Sequence, residues 1–320
     1  MKVAILGAGG CFGINTARWF LGVGHEVLGV GRFQQKSPPF SLELKHASYQ
    51  YRALHIVSEL DLLMEALEEF QPEVIVNYAA LAEVPLSWKY PERYAETNYL
   101  GLVRLVKALS SRPWLKHFMH IGSSEVYGSN DQPVDEESPV RCSSPYAVTK
   151  ASGDMHLMTL REFPWTIIRP SNCYCPGQLL HRVIPRAVLC GLTGEKMPLH
   201  GGGLVRKSYM HATDLSRAIE MLAPVPQQRI YNCGAPMPTM IRDVVAEVAK
   251  VFEKSLEEFC DITPGRAQED ACFWIDSSRL RAHGWEPTIT LRHGIRDMIA
   301  WGEKYLGYLV KESPAYRMRA

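Results

Sequence analysis

Residues 2–13 read KVAILGAGGCFG, and this stretch decides the fold. Residues 2–6 form a short, mainly apolar run typical of a buried strand, and a helical pattern of apolar residues begins directly after the glycines. Glycines so placed let the backbone turn tightly and approach a pyrophosphate, while the following helix offers unpaired N–H groups to the phosphates. The stretch therefore predicts a strand, a dinucleotide-binding loop and a helix. The loop residues expected to contact the cofactor are Gly7, Gly10, Cys11, Phe12 and Gly13.

The glycine spacing differs from that of most dehydrogenases. They carry Gly-x-Gly-x-x-Gly, whereas this chain has Gly-x-x-Gly-x-x-Gly, because Phe12 stands where the last glycine of the common pattern would fall. Such a loop can also be a plain strand-to-helix turn without a ligand. Its interpretation therefore depends on the rest of the chain.

Beyond this loop, short apolar runs alternate with helical patterns. The predicted strands are 2–6, 26–30, 51–56, 73–77, 116–121 and 165–169, and the predicted helices are 12–22, 59–70, 91–112 and 145–162. This repetition predicts an α/β fold with a doubly wound parallel (Rossmann) sheet, which binds ligands at the carboxyl ends of its strands. We expect a dinucleotide-binding domain over 1–170, to which 208–234 return, and a smaller C-terminal substrate-binding lobe over 171–320.

A second motif lies in residues 143–150, which read SSPYAVTK. Ser144 suits a helix N-cap and Pro145 the first helical position. Tyr146 and Lys150 are therefore predicted on one helix face, with Tyr146 in the first turn. The helix dipole and the Lys150 charge are expected to lower the Tyr146 pKa from its usual value of about 10, which would make the phenol a base for oxidising an alcohol. The two residues can also be ordinary neighbours on a helix surface.

Together these motifs resemble the extended branch of the short-chain dehydrogenase/reductase superfamily, the NAD(P)-dependent nucleotide-sugar epimerases, dehydratases and reductases. The resemblance covers nearly the whole chain. Further matching segments, in chain order, are 77–80 (NYAA), 96–101 (ETNYLG), 122–128 (GSSEVYG), 169–174 (RPSNCY), 207–214 (KSYMHATD) and 284–287 (GWEP), with Gly294, Ile295 and Trp301.

The resemblance implies roles for most of the site residues. Ser123 hydrogen-bonds the reacting sugar hydroxyl, unless a register shift of one gives that role to Ser124. Tyr146 takes the hydroxyl proton, and Lys150 holds the nicotinamide ribose and lowers the Tyr146 pKa. The further residues assigned to the cofactor site are Ala79, Ala80 and Asn98, of which the last is expected to stabilise the active-site backbone or a water relay.

Glu125 is the residue that decides the reaction. By the same resemblance, 4-epimerases carry a small residue here, whereas 4,6-dehydratases carry a Glu that takes the C5 proton once C4 is a ketone. Loss of the C6 hydroxyl and hydride return to C6 then give a 4-keto-6-deoxy sugar. Ser124, however, stands where dTDP-glucose-type dehydratases have an Asp. The Ser-Glu pair resembles GDP-mannose-type dehydratases, but also 4-keto-6-deoxy-sugar reductases and sugar-acid decarboxylases.

We therefore expect an enzyme of carbohydrate biosynthesis, a nucleotide-sugar 4,6-dehydratase. A 4-epimerase or a 4-keto-6-deoxy-sugar reductase of the same family is the alternative, and a non-catalytic NAD(P)-sensing protein is a remote one. Glu125 could also be a solvated surface residue.

The end of the second strand favours NADP over NAD as the cofactor. Proteins that select NAD carry an acidic residue about here for the ribose 2′-OH, but residues 27–42 contain no Asp or Glu and Gly31 stands in that place. Arg32, alone or together with Lys36, can instead pair with a 2′-phosphate. Alternatively, Arg32 stacks on the adenine, which would serve either cofactor.

The substrate is expected to be a nucleotide-diphosphate hexose bound mainly by the second lobe. The candidate residues are Asn172, Arg206, Lys207 and Arg266, with Glu83 as a possible contact of the hexose hydroxyls. Lys207 stands where the family usually has Arg, a change that removes bidentate geometry. Asp214 is predicted to be the N-cap of a helix that begins at Leu215, and His211 to be a packed strand residue.

Composition limits the class of protein. With 320 residues, 46% of them hydrophobic, the chain can form one large α/β unit and a smaller lobe, and its net charge of +1 argues against nucleic acid or an acidic membrane as the partner. We expect a cytoplasmic protein without a secretory signal or membrane span. The eight scattered cysteines are expected to be reduced thiols, and Cys173-x-Cys175 to be incidental, so that no metal is predicted.

A homodimer is expected, because extended members of this superfamily pair through the helices that correspond to 91–112 and 145–162. Both carry apolar residues on more than one face. These residues are Tyr94, Leu102, Leu105, Leu109, Val148, Met155, Leu157 and Met158.

Overall fold

The structure is a computed structural model. It describes residues 1–34, 39–40, 44–265, 271–312 and 314–315. Within these ranges the strands are β1 (Lys2–Leu6), β2 (Glu26–Gly31), β3 (Tyr49–Ala53), β4 (Val74–Asn77), β5 (His117–Ile121), β6 (Trp165–Pro170), β7 (Asn172–Tyr174), β8 (Met197–His200), β9 (Arg206–Lys207), β10 (Tyr209–His211), β11 (Ile230–Cys233), β12 (Thr239–Met240), β13 (Cys260–Thr263) and β14 (Cys272–Phe273).

The helices in the same ranges are α1 (Cys11–Gly22), α2 (Leu60–Phe70), α3 (Val84–Lys89), α4 (Pro91–Tyr94), α5 (Gly101–Leu109), α6 (Pro145–Met158), α7 (Val183–Thr193), α8 (Ala212–Leu222), α9 (Ile241–Val251), α10 (Leu256–Phe259), α11 (Ser278–Arg281) and α12 (Leu291–Leu309). A π-helical turn spans Ala95–Leu100, and short 3-10 turns span Ser124–Tyr127 and Gly201–Gly203.

A central sheet of seven parallel strands organises the molecule, in the order β11-β6-β5-β4-β1-β2-β3. The α/β fold class with a doubly wound sheet is therefore confirmed. The six predicted strands are all present, although β3 begins at Tyr49 and ends at Ala53 instead of spanning 51–56. The order reverses between β1 and β4, where the connections turn to opposite sides, and such a point is where open α/β sheets bind ligands.

The packing of β1 explains why its sequence does not alternate between apolar and polar residues. Val3 and Ile5 pack into one core with α1 and α8, whereas Ala4 and Leu6 pack into a second core with α2 and α5. Both faces of the strand are buried, as expected for a parallel sheet covered by helices on each side. A third core lies among α7, α9 and α12 and fills the smaller lobe.

The predicted helix 91–112 is interrupted. Residues 91–94 are α-helical, residues 95–100 form the π-helical turn, and α5 ends at Leu109. Tyr94, Leu102, Leu105 and Leu109 are buried in the chain's own core, as is Leu157 of α6, so these five of the eight apolar residues named for the dimer are covered within one chain. The exposed apolar residues of this region are Val148, Met155 and Met158 of α6 with Tyr99 and Leu100 of the π-helical turn.

Residues after Pro170 return to the main sheet before the smaller lobe is completed. β11 pairs with β6, and α8 packs against α1, where the Ser216 and Thr16 hydroxyls lie 2.9 Å apart. All eight cysteines are free thiols. In the part of the chain that the structure describes, no helix is long and apolar enough to cross a membrane.

Candidate functional site

A large cavity opens at the carboxyl ends of β1, β2 and β4. It encloses about 1570 Å³, part of it open to solvent, and its described lining includes nine predicted site residues. These are Gly7, Gly10, Cys11, Phe12, Gly13, Arg32, Ala79, Ala80 and Glu83. The sheet thus brings the glycine loop and the ends of two further strands to one space.

The glycine loop fits a dinucleotide phosphate. Gly7 has φ of +90°, a conformation that favours glycine, and a Cβ atom at Gly13 would lie 2.5 Å from the Gly7 carbonyl oxygen. α1 begins at Cys11 with Gly10 as its N-cap, and no side chain caps the helix. The first-turn N–H groups therefore face the cavity without a side-chain acceptor, as an anion site requires.

Arg32 follows β2 at the far end of this cavity. Its guanidinium carbon lies 5.3 Å from the centre of the Phe33 ring. Burial lowers the pKa of His55, which also lines the cavity, and the Arg32 charge lowers it further. Lys36 lies outside the described residues.

Tyr146 lies in the first turn of α6, where Ser144 is the N-cap and accepts a hydrogen bond from the Ala147 N–H, as predicted. The phenol is buried, and the Ser123 side chain lies near enough to lower its pKa. Burial raises the pKa of Tyr146 well above its usual value, and the nearby charge of Glu125 raises it further. The prediction of a lowered Tyr146 pKa was therefore wrong for the protein alone, because desolvation of the buried phenol is the largest effect.

The Lys150 ammonium lies at the end of β5. It donates a hydrogen bond to the Ile121 carbonyl at 2.7 Å and lies 3.2 Å from His120 Nε2. Burial lowers the pKa of Lys150 to about 8, although the charge of Asp154, one turn further along α6, opposes the shift.

Asp154 fastens α6 to the sheet. Its carboxylate is fully buried and accepts a hydrogen bond from Arg169 Nε at 2.8 Å, and Arg169 Nη1 donates to the Tyr127 hydroxyl at 2.8 Å. Arg169 belongs to β6 and Tyr127 to the 3-10 turn after β5. The helix that carries Tyr146 is thereby held by a buried ion pair.

The same turn carries the three predicted residues Ser123, Ser124 and Glu125. Ser123 is its N-cap, and the Ser123 Oγ accepts a hydrogen bond from the Glu125 N–H at 3.2 Å. Ser123, not Ser124, reaches Tyr146, while Ser124 is buried within the turn. Glu125 is half-buried close enough to Tyr146 for its charge to act on the phenol. A hydroxyl, a phenol and a carboxylate therefore converge.

Asn98 is buried in the π-helical turn. Its Oδ1 accepts from the Leu81 N–H at 2.7 Å, and its Nδ2 donates to the Leu81 carbonyl at 3.0 Å and to Thr149 Oγ1 at 3.1 Å. It is not among the described residues that line the cavity. Its contacts tie the loop after β4 to α6, which agrees with a structural role.

A second cavity of about 880 Å³ lies in the smaller lobe. Its described lining includes Asn172 and Lys207, as predicted for substrate binding, and carries no carboxylate. Arg206 is not among these lining residues, because its guanidinium turns outward to Asp131 at 3.3 Å. Arg266 lies outside the described residues.

Gln178 and Arg182 line both cavities, so the two spaces meet at these residues. The Glu83 carboxylate lies 3.1 Å from Arg182 and 2.8 Å from His181. Burial acts to raise the Glu83 pKa, but Arg182 and His181 outweigh it and the pKa is lowered. Glu83 is thus an ion-paired residue between the two lobes, and its charge and that of Arg182 both act on Tyr146.

Sequence reasoning did not identify Gln178, His181 and Arg182. Arg182 is the N-cap of α7, where a cation is unfavourable to the helix dipole. The adjacent His181 and Arg182 in front of a helix were therefore a usable signal for a functional site. It went unused because the region was interpreted as loops.

The prediction that His211 is a packed strand residue is confirmed, since it is buried at the end of β10, but the prediction about Asp214 was wrong. α8 begins at Ala212, and His211 is its N-cap, whose Nδ1 accepts from the Thr213 N–H at 3.3 Å. Asp214 is therefore not the N-cap. Its buried carboxylate instead accepts hydrogen bonds from the backbone N–H groups of Thr288 and Ile289, both at 3.0 Å.

Comparisons with known proteins agree with this arrangement. A model of the NAD dependent epimerase/dehydratase family matches residues 3–234. The chain is 25% identical to a dTDP-glucose 4,6-dehydratase of Salmonella typhimurium. The alignment is 334 positions long and covers 94% of this chain and 92% of that protein. It is 26% identical to a trifunctional UDP-glucose 4,6-dehydratase, epimerase and reductase of Arabidopsis thaliana over 72% of this chain, but spans only 36% of that protein.

Solved structures agree as well. A dTDP-glucose 4,6-dehydratase of Bacillus anthracis in complex with NAD superimposes with a TM-score of 0.87 at 25% identity, over 97% of this chain and 99% of that one. A UDP-glucose 4-epimerase of Thermotoga maritima with UDP-glucose shares the fold, with a TM-score of 0.86 at 22% identity over 96% and 100% of the chains.

Proposed function

We propose, from the premise that the chain belongs to the NAD dependent epimerase/dehydratase family, that it is a nucleotide-sugar 4,6-dehydratase. The observation that carries the proposal is the position of Glu125. Its carboxylate lies near enough to Tyr146 to raise the phenol pKa, while the Ser123 side chain lies near enough to lower it. A base for a carbon-bound proton and a base for a hydroxyl proton are thereby placed in one site.

The glycine loop and the first turn of α1 would hold the dinucleotide phosphates, with Arg32 at the adenosine end and Lys150 at the nicotinamide end. When bound, the nicotinamide takes up a hydride from a sugar carbon and can return one. Ala79 and Ala80 offer a wall without bulky side chains along the cavity. Asn98 keeps the Leu81 backbone in place and needs no contact with the cofactor.

In this proposal Tyr146 accepts the proton of the C4 hydroxyl, and Ser123 positions that hydroxyl. Because burial raises the Tyr146 pKa, the phenolate needs a nearby cation. Arg182, whose charge already lowers this pKa, and Lys150, one turn along α6, are available. With C4 a ketone, the C5 proton becomes acidic and passes to Glu125. The protonated Glu125 would then give its proton to the C6 hydroxyl, which departs as water, and hydride returned to C6 together with a solvent proton taken at C5 would complete the 4-keto-6-deoxy sugar.

A 4-epimerase or a 4-keto-6-deoxy-sugar reductase is the second candidate, and one residue favours it. Ser124 precedes Glu125 and is buried, so this position supplies no carboxylic acid for the departing hydroxyl. A protein that only senses NAD(P) is a remote candidate, since both Tyr146 and Lys150 are present.

We also propose NADP as the preferred cofactor, with the Arg32 guanidinium binding the 2′-phosphate. The substrate is proposed to be a nucleotide-diphosphate hexose. Its diphosphate would lie where the two cavities meet, near Arg182, with Asn172 and Lys207 in the acid-free second cavity. Arg206 is not proposed as a substrate ligand, because it faces Asp131.

The domain division at residue 170, with 208–234 returning to the sheet, is retained as part of the proposal, and so is a homodimer. Two copies would pair through Val148, Met155 and Met158, whose side chains are half exposed on α6. The exposed Tyr99 and Leu100 adjoin this face, since α6 packs against the π-helical turn.

Incubation with UDP-, GDP-, dTDP- and CDP-hexoses, followed by mass spectrometry, tests the reaction. Loss of about 18 Da, the mass of one water, supports a dehydratase. An unchanged mass with altered mobility indicates an epimerase instead. Turnover that depends on added NADPH indicates a reductase.

A further inference from the structure

Two tyrosines of β3 cover two glycines of β2. Tyr49 and Tyr51 lie two residues apart and therefore on one face of the strand. A Cβ atom at Gly29 would lie 2.5 Å from the Tyr49 hydroxyl, and a Cβ atom at Gly31 would overlap the Tyr51 hydroxyl. Each phenol thus fills the space that a side chain on the neighbouring strand would need.

The pair of Gly31 and Tyr51 lies at the cavity, and the pair of Gly29 and Tyr49 does not. Gly31 and Tyr51 belong to its described lining, whereas neither Gly29 nor Tyr49 is among those residues. A Cβ atom at Gly31 would also lie 2.9 Å from the backbone nitrogen of Gly9. No side chain fits at the end of β2 without movement of the glycine loop. An acidic residue that would hold a ribose 2′-OH from this position is therefore excluded.

Tyr51 holds the turn that carries Arg32. Its hydroxyl donates a hydrogen bond to the Phe33 carbonyl at 2.8 Å, and the Phe33 ring lies under the Arg32 guanidinium. Burial raises the pKa of Tyr51 to about 12, so the hydroxyl stays a neutral donor at physiological pH. The uncharged Tyr51 hydroxyl thus occupies the space that the carboxylate of an acidic residue at position 31 would need.

The surrounding groups favour an anion. His55 Nδ1 accepts hydrogen bonds from the N–H groups of Val57 and Ser58 at 3.2 and 3.3 Å, which leaves Nε2 as the N–H of the neutral ring. Among the described lining residues the only carboxylate is Glu83, and it is engaged with His181 and Arg182. A phosphate beside Arg32 would therefore meet donors among the described lining residues, while the carboxylates of Glu59 and Glu96, which act on His55, lie outside that lining.

We propose that Tyr51 is a specificity-determining residue for the cofactor: its hydroxyl occupies the place of the ribose-binding carboxylate and positions Arg32 for a 2′-phosphate. This inference rests on the dinucleotide site of the proposed function. It deepens that proposal by assigning the preference to a residue of β3, which does not belong to the glycine loop or to the end of β2.

The test compares Tyr51→Phe with Tyr49→Phe, the same change on the same face of β3 but away from the cavity. The full-length protein, stripped of cofactor, is titrated calorimetrically with NADP⁺ and with NAD⁺. Wild-type protein is expected to bind NADP⁺ more tightly. Tyr51→Phe should lower the ratio of the two affinities about 2- to 10-fold, the effect of one hydrogen bond, and Tyr49→Phe should leave the ratio unchanged.

Different failures separate the two proposals. Wild-type protein that binds neither dinucleotide contradicts the proposed function itself. If wild-type protein binds both equally, the proposed preference for NADP and the inference about Tyr51 are both overturned, while the proposed dehydratase reaction is not. If Tyr51→Phe changes the ratio no more than Tyr49→Phe does, only the inference about Tyr51 is overturned.

Thermal unfolding without ligand tests whether the Tyr51 hydroxyl occupies the space beside Gly31. Gly31→Ala should lower the midpoint of thermal unfolding less in the Tyr51→Phe protein than in the Tyr51 protein, because the overlap with the hydroxyl is then gone. An equal loss in both backgrounds would show that the Tyr51 hydroxyl does not occupy this position.

Discussion

Replacing Glu125 by Gln is the most informative perturbation of this site. The amide keeps the shape of the side chain but cannot accept the C5 proton, so the rate of water loss should fall about 10²- to 10⁴-fold, the contribution of a positioned base. At about 1.36 kcal/mol per factor of ten, this corresponds to about 2.7–5.4 kcal/mol of transition-state stabilisation. Stability should change by no more than about 0.5 kcal/mol, because Glu125 is only half buried and its N–H bond to Ser123 is made by the backbone.

The substitution should also shift a pH profile in a defined direction. The negative charge of Glu125 raises the Tyr146 pKa. A neutral amide removes that effect, so the Tyr146 pKa falls and phenolate forms at lower pH. Any residual reaction that depends on Tyr146 as a base should therefore rise at a lower pH in the Gln variant than in the wild type.

The assay is mass spectrometry and NMR of the sugar product formed in deuterated water. Wild-type enzyme should place one solvent deuterium at C5 and release water, and Glu125→Gln should do neither at a comparable rate. Glu137→Gln is the matched control, since Glu137 is an exposed carboxylate paired with Arg279 outside the site. A wild-type product without deuterium at C5, or a Gln variant that keeps more than about a tenth of the dehydration rate, would refute the reasoning.

Three further outcomes are expected. Tyr146→Phe should lower turnover about 10²- to 10⁴-fold while the cofactor stays bound, and retention of more than about a tenth of the activity would exclude Tyr146 as the base. Arg32→Ala should erase a preference for NADP of about 1.5–3 kcal/mol in equilibrium titrations, and equal affinities before mutation would contradict it. Light scattering at micromolar concentration should give twice the chain mass of 36.1 kDa, and Met155→Glu should reduce it to one chain; a wild-type monomer would disprove the dimer.

The sequence was most informative where local chemistry and fold coincide. The glycine run, Ser144 and Pro145 predicted the loop and the start of α6 because turn geometry and capping depend on neighbouring residues. The Tyr146 pKa was predicted with the wrong sign, because burial is set by residues distant in sequence. Likewise, pattern alone did not reveal that Arg206 turns to Asp131 or that Arg182 joins Glu83, since both contacts are tertiary.

The buried pair of Asp154 and Arg169 has a consequence for engineering and evolution. Removing one partner of such a pair typically costs about 3–5 kcal/mol. A shift of α6 that breaks the pair would therefore cost a large fraction of the free energy of unfolding. The positions of Tyr146 and Lys150 are therefore inherited from the core and are not adjustable parts of the site. New substrate preferences should be sought by varying Val183, Ile184 and Arg186 at the start of α7, which line the second cavity, while Arg182 is kept because its charge acts on Tyr146.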